Sequence, residues 1–405
     1  MVTEEAAFLE RICSEPEEDA PRLIFADWLD DRRDSRGHFI RVQIALSRMP
    51  IDAPGREQLQ NREATLLSRH QAKWSAPLRG IACSTEFSRG FIDTVNVEGR
   101  VFLRRHDELF RLAPIRNIRF LDVGSSLAKL MNCPDLARLA GITISSQHID
   151  EQLTRALVES PHLGGLNRLH VGRNRIGDRG AERLAWSPRF RNLRELNLSD
   201  NAIGDVGSHA LAESSNLASL ESLELRRNEL SRVGLADLCG TESLVRLSYL
   251  GLALNYVGAI RETREARPSK SSLRILDLSE NGLTPEGFGM LTGLAGLGKL
   301  NRLVLERNEV GNEGASLLAN WSNAASLQSL ALSGNRIGDE GARAIAHSTY
   351  LHQLLDLDLS DNPIHDSGAL AFLNPTNLPR LNRIGLPYLG LTPQVRRALA
   401  RRYPG

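Results

Sequence analysis

The most regular stretch of this chain reads LRELNLSDNAI at residues 193–203. Leucine occupies its first, fourth and sixth positions, asparagine the ninth and an apolar residue the eleventh. This frame, with valine in the sixth position of one copy, occurs eight times. Its asparagines are Asn174, Asn201, Asn228, Asn255, Asn281, Asn308, Asn335 and Asn362. They lie 27 residues apart except for one interval of 26, and such a regular period predicts a repeat protein.

Two weaker copies extend the run on the same spacing. One covers residues 139–147 with Gln147 in the asparagine position, and the other covers residues 381–389 with Leu389 there. An irregular first unit is expected at residues 115–120. The terminal units of a repeat array have no outer neighbour, so sequence drift at both ends is expected.

The spacing within each unit predicts a strand, a turn, a helix and a return loop. Apolar residues two apart in a short strand point the same way, so the leucines are expected to stack on their counterparts in the next unit. The asparagine amide is able to satisfy backbone groups that the stacked turns would otherwise leave unpaired. After the asparagine, IGDRGAERL at residues 176–184 has a glycine turn, an acidic residue placed to cap a helix start, and apolar residues at helical spacing.

These units resemble leucine-rich repeats of the ribonuclease-inhibitor type. The resemblance covers about residues 114–400 and implies an α/β solenoid, with parallel strands on a concave face and helices on a convex face. The unit at Asn255 departs from the pattern, because residues 261–270 read RETREARPSK, which is polar, charged and interrupted by a proline. This segment is interpreted either as a local irregularity of the convex side or as a docking loop.

Residues 1–50 carry no repeat and predict three helices. The first is expected to start at Thr3, the second to have Asp19 as its cap and Pro21 in its first turn, and the third to begin near Gly37. A fourth, arginine-rich helix is predicted over residues 54–73. This part of the chain therefore reads as a small helical domain.

Three segments of this region resemble the bacterial repeat-companion domain. They are EEAAFL at residues 4–9, APRLIFADWL at residues 20–29 and FIRVQ at residues 39–43. The family precedes repeat arrays, and membership implies no known activity. Phe25 stands where tyrosine is common in the family, and His38 stands where an acidic residue is common. Neither change removes an assigned site, because the family has none.

Residues 81–113 join the helical region to the repeats. From Phe91 the sequence alternates apolar and polar residues, which predicts a strand, and a helix is expected from Val101 to Leu112. This strand and helix are interpreted as an N-terminal cap over the first repeat. The predicted divisions are a helical repeat-companion domain over 1–50, a linker helix with the cap over 51–113, and ten to eleven repeats over 114–405.

The composition limits the classes of partner. The chain has 405 residues, with 50 lysines and arginines against 49 acidic residues and a formal net charge of +1. A dedicated nucleic-acid-binding protein usually carries a clear basic excess, so no nucleic-acid partner is expected. No apolar run reaches the ~18 residues of a membrane span, and the acidic N-terminus lacks the basic start of a signal peptide. The four cysteines are scattered, which favours reduced thiols in a cytoplasm. We expect a monomer that does not bind membranes.

No motif in the sequence predicts catalysis, a metal site or a cofactor. The histidines form no HExxH or HxH pair, and there is no GxxxxGK[ST] and no GxSxG. The glycines at 287–298 do not make GxGxxG after a strand. Arg22, Asp27 and Trp28 lie at helical spacing and are interpreted as structural. We therefore expect no catalytic residue, no metal and no cofactor, and a protein that is not an enzyme.

The repeats do offer a surface. The residues that flank the strand leucines point outward onto the concave face. In the middle units several of them are apolar, although polar side chains at these positions would carry no desolvation cost. The residues predicted to bind a partner are Tyr249, Leu254, Ile275, Val304, Arg226 and Asp358. An exposed apolar cluster between charged flanks is typical of a protein-binding hot spot with a polar rim. The alternative is that these side chains simply thicken the strand layer.

The predicted function is a non-enzymatic scaffold that binds a partner protein on the concave face. The repeats are also similar to those of eukaryotic Ran GTPase activators, so a GTPase-activator-like regulatory role is the first alternative. That role needs a residue that contacts the nucleotide, and none of the arginines is distinguished for it. The second alternative is that the companion domain is itself an enzyme, which requires a pocket with clustered polar groups.

Overall fold

The computed structural model describes residues 4–50, 53–258, 272–294, 296–375 and 377–404. The chain divides into two compact units, Met1–Gln147 with Glu159–His170, and His148–Val158 with Val171–Gly405. The 261–270 segment and the expected helix start at Thr3 lie outside the described residues, so the docking-loop interpretation stays a prediction.

The first unit begins with four helices. They are α1 (Glu4–Ser14), α2 (Ala20–Asp31), α3 (Ser35–Arg48) and α4 (Arg56–Trp74). Apolar side chains of the first three pack around the ring of Phe25, which is fully buried. The ring centroids of Phe8 and Phe91 lie 5.4 and 5.9 Å from that of Phe25. The helices therefore share one aromatic core with the later strand that carries Phe91.

Two helix starts differ from the expectation. Helix α3 begins two residues before Gly37, because the Asp34 carboxylate accepts a hydrogen bond of 2.9 Å from the backbone N–H of Arg36. Asp19 does precede α2, but its side chain makes no capping hydrogen bond. It accepts a hydrogen bond of 3.1 Å from Nε of Arg48 and so connects the start of α2 to the end of α3.

A hairpin and three parallel strands complete the first unit, together with two helices. These elements are β1 (Ser84–Ser88), β2 (Phe91–Glu98), α5 (Gly99–Leu112), β3 (Asn117–Leu121), α6 (Leu127–Met131), β4 (Gly141–Thr143) and β5 (Arg168–His170). Strands β1 and β2 are antiparallel, with a register shift between Glu86 and Phe87. Strand β2 then pairs in parallel with β3, β3 with β4 and β4 with β5. Parallel pairing thus begins at the strand that the sequence predicts from Phe91.

The second unit alternates short strands with helices. Its strands are β6 (Glu195–Asn197), β7 (Ser222–Glu224), β8 (Tyr249–Gly251), β9 (Ile275–Asp277), β10 (Arg302–Val304), β11 (Ser329–Ala331), β12 (Asp356–Asp358) and β13 (Arg383–Gly385). From β6 onward each strand pairs in parallel with the next. The predicted α/β class with parallel strands is therefore confirmed.

The helices of the repeats are short. They are α7 (Glu151–Glu159), α8 (Gly177–Trp186), α9 (Asp205–Ala212), α10 (Arg232–Gly240), α11 (Pro285–Thr292), α12 (Gly311–Ala319), α13 (Asp339–Ala346), α14 (Asp366–Ala369) and α15 (Pro393–Arg402). Brief 3-10 helices lie at Ala76–Leu78, Gly124–Ser126, Pro134–Arg138, Pro188–Phe190, Ser215–Leu217, Ser322–Ser326 and Leu370–Phe372. Within the described ranges, no helix combines the length and the apolar character needed to cross a bilayer.

The asparagine of the frame makes the backbone contacts that the sequence predicts. The Nδ2 group of Asn228 donates to the carbonyl of Leu225 in its own unit at 2.9 Å and to that of Leu198 in the preceding unit at 3.0 Å. Its Oδ1 accepts from the backbone N–H groups of Asn201 and Ile203, both at 3.0 Å. One buried amide therefore satisfies four backbone groups and joins two neighbouring repeats.

The acidic residue after the glycine turn also caps a helix start, but the helix belongs to the next repeat. Oδ1 of Asp178 accepts hydrogen bonds of 2.7 and 2.9 Å from the backbone N–H groups of Gly204 and Gly207, at the start of α9. Asn312 uses its Oδ1 in the same way at the start of α13. The helix caps thus hold successive repeats together, as the asparagines do.

Candidate functional site

The strand face of the second unit consists of the residues on either side of the buried leucine in each strand. The register aligns them in two rows. The first row contains Glu195, Ser222, Tyr249, Ile275, Arg302, Ser329 and Asp356, and the second contains Asn197, Glu224, Gly251, Asp277, Val304, Ala331 and Asp358. The buried leucines fix this face, because neighbouring residues of a strand point to opposite sides.

Three of the predicted site residues lie close together on the strand face. Tyr249 and Ile275 are direct partners on β8 and β9, and both are half-buried. Val304 lies on the adjacent β10 in the second row and is buried. Direct and diagonal neighbours across strands are near enough for their side chains to touch. The structure therefore brings Tyr249, Ile275 and Val304 together as one apolar cluster.

Tyr249 has a polar partner that the sequence does not reveal. Its hydroxyl donates a hydrogen bond of 2.8 Å to Oε2 of Glu224 on the neighbouring strand. Burial, together with the negative charge of Glu224, raises the pKa of the Tyr249 hydroxyl well above its usual range. The residue opposite Glu224 is Gly251, and a Cβ there would collide with the Glu224 carboxylate. The glycine thus leaves the space in which Glu224 reaches Tyr249.

Leu254 lies just beyond β8, in a row where the backbone has positive φ. Its φ is 58°, and the equivalent Arg227, Glu280 and Arg307 have φ of 53°, 56° and 52°. Glycine, as at Gly334 in the same position of a later unit, avoids the steric cost of this conformation. Leu254 is half-buried, so an apolar side chain is held partly exposed in a row of charged residues.

Charged side chains surround Leu254. Oε1 of Glu280 lies 4.0 Å from Nη2 of Arg226 and 3.9 Å from Nη1 of Arg307. Arg226 is exposed, and its place beside the apolar cluster agrees with the predicted charged flank. Exposed ion pairs of this length contribute little to stability, so these charges are free to reorient toward a partner.

Asp358 lies apart from the cluster. It belongs to β12, two strands beyond Val304, and its Oδ1 accepts a hydrogen bond of 2.9 Å from the backbone N–H of Ser360. Asp277 makes the equivalent bond of 2.9 Å to Ser279. The Asp358 carboxylate therefore has a local role in its own turn, and the structure does not place it with the other predicted residues.

Three of the four thiols, those of Cys13, Cys133 and Cys239, are not activated nucleophiles. Burial raises the pKa of Cys13 to about 11 and that of Cys239 to about 12, and it also raises the pKa of Cys133. Thiols with raised pKa values stay protonated near neutral pH, and the thiolate is the reactive form. Cys83 is exposed.

The polar residues of α2 have structural partners. Arg22 is buried and donates to the carbonyls of Glu18 and Pro16 at 2.6 and 2.8 Å. Nε1 of Trp28 donates to Oε2 of Glu4 at 2.9 Å, and Asp27 pairs with Arg41. These contacts agree with the structural interpretation of Arg22, Asp27 and Trp28, because each of the three side chains has a bonded partner within the first unit.

One group of potential metal ligands in the first unit was missed by the sequence analysis. Nδ1 of His106 lies 2.6 Å from Oδ2 of Asp135 and 3.4 Å from Oδ1 of Asp107. The other Asp135 oxygen faces Nη1 of Arg138 at 3.8 Å. A nearby arginine disfavours a bound cation, so we interpret the group as an ion-pair network. No local motif predicts it, since Asp135 comes 29 residues after His106.

Two grooves open on the first unit. One, of about 620 Å³, lies between α1 and α2 and is lined by Phe8, Arg11, Glu15, Glu18, Ala20, Pro21 and Ile24. The other, of about 570 Å³, lies beside α4 and β1 and includes Arg69, Arg79 and Cys83. Among these lining residues, no nucleophile is placed beside a base as an acyl- or group-transfer site requires.

A family model described as Leucine Rich repeat matches residues 166–185, 191–212, 269–291, 299–319, 323–346 and 350–373. The chain therefore carries leucine-rich repeats. The ribonuclease-inhibitor type and the N-terminal companion domain stay predictions. The comparison with curated proteins found no match.

Three solved structures illustrate the similarity to known folds. Internalin C2 of Listeria monocytogenes is 22% identical over 65% of this chain and 92% of its own, with a TM-score of 0.37. An internalin, inlF, of the same organism is 18% identical over 78% and 94%, with a TM-score of 0.37. A chain of the Rad7 and Elc1 complex from yeast is 15% identical over 98% and 96%, with a TM-score of 0.39. Similarity at this level carries no inference about function.

Proposed function

Because the chain carries leucine-rich repeats, we propose that it is a non-enzymatic scaffold that binds another protein on the strand face of its second unit. The observation that carries this proposal is the apolar cluster of Tyr249, Ile275 and Val304 in the middle of that face. The remaining predicted residues have different places: Leu254 and Arg226 border the cluster, and Asp358 lies outside it.

The cluster has the composition of a binding hot spot. Tyrosine is among the residues that contribute most to protein–protein affinity, since it combines a large apolar ring with a polar tip. Tyr249 is held in place by its bond to Glu224, so little side-chain freedom would be lost on binding. A half-buried, pre-positioned ring beside Ile275 is therefore a suitable anchor.

The charged residues beside the cluster supply the rim. Arg226, Arg307 and Glu280 are mutually close without tight pairing. Charged residues at the rim of an interface steer association and select partners more than they add affinity. We propose that they orient the partner while the apolar cluster supplies most of the binding free energy.

The proposal includes the wider setting of the protein. We propose a cytoplasmic monomer that uses no cofactor and binds neither nucleic acid nor membranes. Its repeats are of the ribonuclease-inhibitor type over 114–405, its companion domain covers 1–50, and residues 51–113 supply the linker helix and the cap. The near-zero net charge and the absence of a sequence motif for catalysis support these assignments.

The competing interpretation is that the cluster only thickens the strand layer. The Tyr249–Glu224 bond fits that interpretation as well, because it satisfies both groups without a partner. The two interpretations differ in what removal of the side chains does. A structural role predicts lost stability, whereas a binding role predicts lost affinity in a folded protein.

The test first captures partner proteins with the full chain. The affinity of one purified partner is then measured by calorimetry. The double variant Tyr249→Ala, Ile275→Ala is expected to weaken binding about tenfold or more. Ser329→Ala is the matched control, because Ser329 occupies the same row two strands from Ile275. Tyr249→Phe keeps the ring and removes the bond to Glu224, and it separates the contribution of the hydroxyl from that of the ring.

Circular dichroism confirms folding of each variant. Unchanged affinity in the folded double variant would overturn the proposal, and so would an equal loss in Ser329→Ala. If the double variant unfolds, the single variant Ile275→Ser, which removes apolar surface from a half-buried site, decides the question.

A further inference from the structure

The positive charge of this chain is concentrated in its last part. Residues 367–405 contain no acidic residue and six arginines, namely Arg380, Arg383, Arg396, Arg397, Arg401 and Arg402. The formal net charge of the whole chain is +1, so subtracting these six leaves −5 for residues 1–366. A basic region on a slightly acidic protein is a local attraction for negative charge.

Apolar residues of the last repeat unit are exposed in the same part of the chain. Leu389 occupies the asparagine position of the last unit and is 97% exposed, whereas Asn362, one unit earlier, is 5% exposed. Tyr388 beside it is 74% exposed. Ile384 and Leu386 are only half-buried, although the equivalent leucines of β12 are fully buried. Adjacent exposed large apolar residues at the end of a strand mark an interaction site more often than chance.

Among the described residues, no strand pairs with the outer edge of β13. In the described residues β13 pairs with β12 alone and stands last in the strand order. The N–H of Arg383 donates to Leu355 at 3.0 Å, and the carbonyl of Gly385 accepts from Leu359 at 2.8 Å. These residues face β12, so the backbone groups of Ile384 point the other way, because the direction alternates along a parallel strand. Such an edge is a template for another strand.

One arginine contacts the exposed apolar pair, and among the described residues most arginines of this part of the chain have no carboxylate close by. The guanidinium of Arg396 on α15 lies 4.2 Å from the centroid of the Tyr388 ring. Of the six arginines, only Arg383 has a carboxylate within 4.0 Å among the described residues, namely Asp356 at 3.0 Å. Arg397 and Arg401 are exposed on α15. Arg396 thus brings positive charge against the exposed Tyr388, which follows β13 in the chain.

We propose that this surface, which consists of β13, residues 386–389 and α15 and is called the β13 edge below, binds an acidic extended peptide segment of a partner protein. The segment adds a strand to β13, places an apolar side chain on Tyr388 and Leu389, and directs carboxylates toward the arginines. Strand addition supplies affinity through backbone bonds, and side-chain pockets and charges supply selectivity.

Charge complementarity selects this occupant over two others. A second copy of the chain would bring six further arginines to the same edge, and like charges at an interface are costly. A nucleic acid would satisfy the arginines, but its phosphates donate no hydrogen bonds to the backbone carbonyls of a strand edge. An acidic peptide matches the charge, the apolar pair and the backbone groups together. Strand β13 lies three strands beyond β10, the last strand of the apolar cluster, so the failure of either proposal leaves the other standing.

The experiment measures fluorescence anisotropy of a labelled peptide, EDVEIDED, with the full chain at low ionic strength. Two control peptides separate the contributions. EDPEPDED keeps all six acidic residues but lacks two backbone N–H donors, and QNVQINQN keeps the apolar residues without charge. Both are expected to bind at least about tenfold more weakly than EDVEIDED. Hydrogen exchange should show peptide-dependent protection at residues 383–389 and not at strands β8 to β10, which carry the apolar cluster.

Variants locate the site. Arg396→Gln, which removes the guanidinium that lies over Tyr388, is expected to weaken EDVEIDED binding about tenfold. Leu389→Asn, which restores the residue of the repeat frame at a 97% exposed position, should weaken it severalfold without a change in thermal unfolding. Arg179→Gln is the matched control, because Arg179 is an exposed arginine on α8, far along the chain from the β13 edge. It should bind like the unaltered protein.

Each contrary result overturns the proposal. Equal binding of EDVEIDED and EDPEPDED would exclude strand addition, and an equal loss in Arg179→Gln would exclude a localised site. A dimer in sedimentation analysis that dissociates on Leu389→Asn would make a second copy the occupant. Tighter binding of an oligothymidylate than of the peptide would make the surface a nucleic-acid site. The absence of any peptide binding would also refute it.

Discussion

The outer strands β1 of the first unit and β13 of the second end their sheets differently. Strand β1 is covered by helices of its own unit. The Phe87 ring packs 5.7 Å from that of Phe39 on α3 and 6.2 Å from that of Trp74 on α4. Gln43 donates to the carbonyl of Phe87 at 3.2 Å. Strand β13 has exposed Tyr388 and Leu389 beyond it, and no strand among the described residues pairs with its outer edge.

The difference shows how an edge is protected. A strand edge presents unpaired backbone groups and an adjacent apolar layer, and both need cover or charge. At β1, the cover is a buried aromatic layer, a polar side chain bonded to the strand, and a register shift. At β13, the strand itself contains Arg383, and Arg396 lies over the ring of the exposed Tyr388. Charge deters pairing with like-charged chains while leaving the edge open to an acidic one.

The largest expected effect comes from breaking the aromatic cover of β1. Phe39→Ala should lower the free energy of unfolding by about 3–5 kcal/mol, because the fully buried ring contacts Trp74 and Phe87. Tyr388→Ala, the matched aromatic at the β13 edge, should change it by less than about 0.5 kcal/mol. Denaturant unfolding followed by circular dichroism measures both. Similar losses in the two variants would show that Tyr388 is buried in solution.

Two leucines of the repeat frame, one buried and one exposed, allow the same comparison of unfolding free energies. Leu330→Ala is expected to cost about 2–5 kcal/mol, through lost burial and a cavity, because this side chain is 1% exposed. Leu389→Ala should cost less than about 0.5 kcal/mol. The measurement is again the denaturation midpoint. An unchanged midpoint in Leu330→Ala would contradict the stacking register of the strands.

The polar cover of β1 should have a smaller effect. Gln43→Leu removes the acceptor of the Gly90 N–H bond of 2.7 Å and the donor to Phe87, so buried backbone groups lose their partners. The expected cost is about 1–3 kcal/mol. Gln328→Leu, at an exposed glutamine, is the control and should be nearly neutral. Thermal unfolding of the two variants provides the comparison. An unchanged stability of Gln43→Leu would show that Gln43 does not contribute to the protection of the β1 edge.

The smallest expected effect is a pH dependence at the start of α14, where Asp339 accepts a hydrogen bond from the His365 N–H. Burial of the Asp339 carboxyl raises its pKa, but hydrogen bonds from the backbone N–H groups of His365 and Gly368 outweigh this, and the pKa lies below its ordinary value. A pKa lower in the folded state means stability that is present above the unfolded value and lost as the pH falls below about 4.

A matched variant isolates this contribution. Asp339→Asn should retain the cap, because Asn312 caps the preceding helix with its Oδ1, and should not titrate. The variant should therefore lose less stability between pH 5 and pH 3, about the range in which the carboxylate is protonated, than the unaltered protein loses. Urea unfolding at the two pH values provides the measurement, and equal acid dependence would assign the effect to other carboxyls.

The repeat part of the fold was predictable because its signals are local. The leucine spacing predicts the strands, the asparagine predicts the buried bonds of Asn228, and both are confirmed. Helix α3 begins two residues before the expected Gly37, because the Asp34 side chain caps its start ahead of the apolar run. Strand β1 lacked a clear alternation and was not predicted from the sequence.

The candidate site was predictable only in part. Alternation places Tyr249 and Ile275 on the outer face, but their direct pairing depends on the register of two strands. The bond from Tyr249 to Glu224 requires the space left by Gly251, and this combination spans two repeats. Asp358 had the right charge and the right face, yet it lies two strands from the cluster and is bonded to its own turn.

The sequence by itself determined the α/β repeat architecture, because the 27-residue period and the leucine spacing specify which side of each strand is buried. Only the tertiary structure decided that Asp178 caps the helix of the following repeat and that Leu389 is left exposed. Burial and capping depend on what lies beside a residue after stacking. Those neighbours are about one repeat away along the chain, so they cannot be predicted from the local sequence.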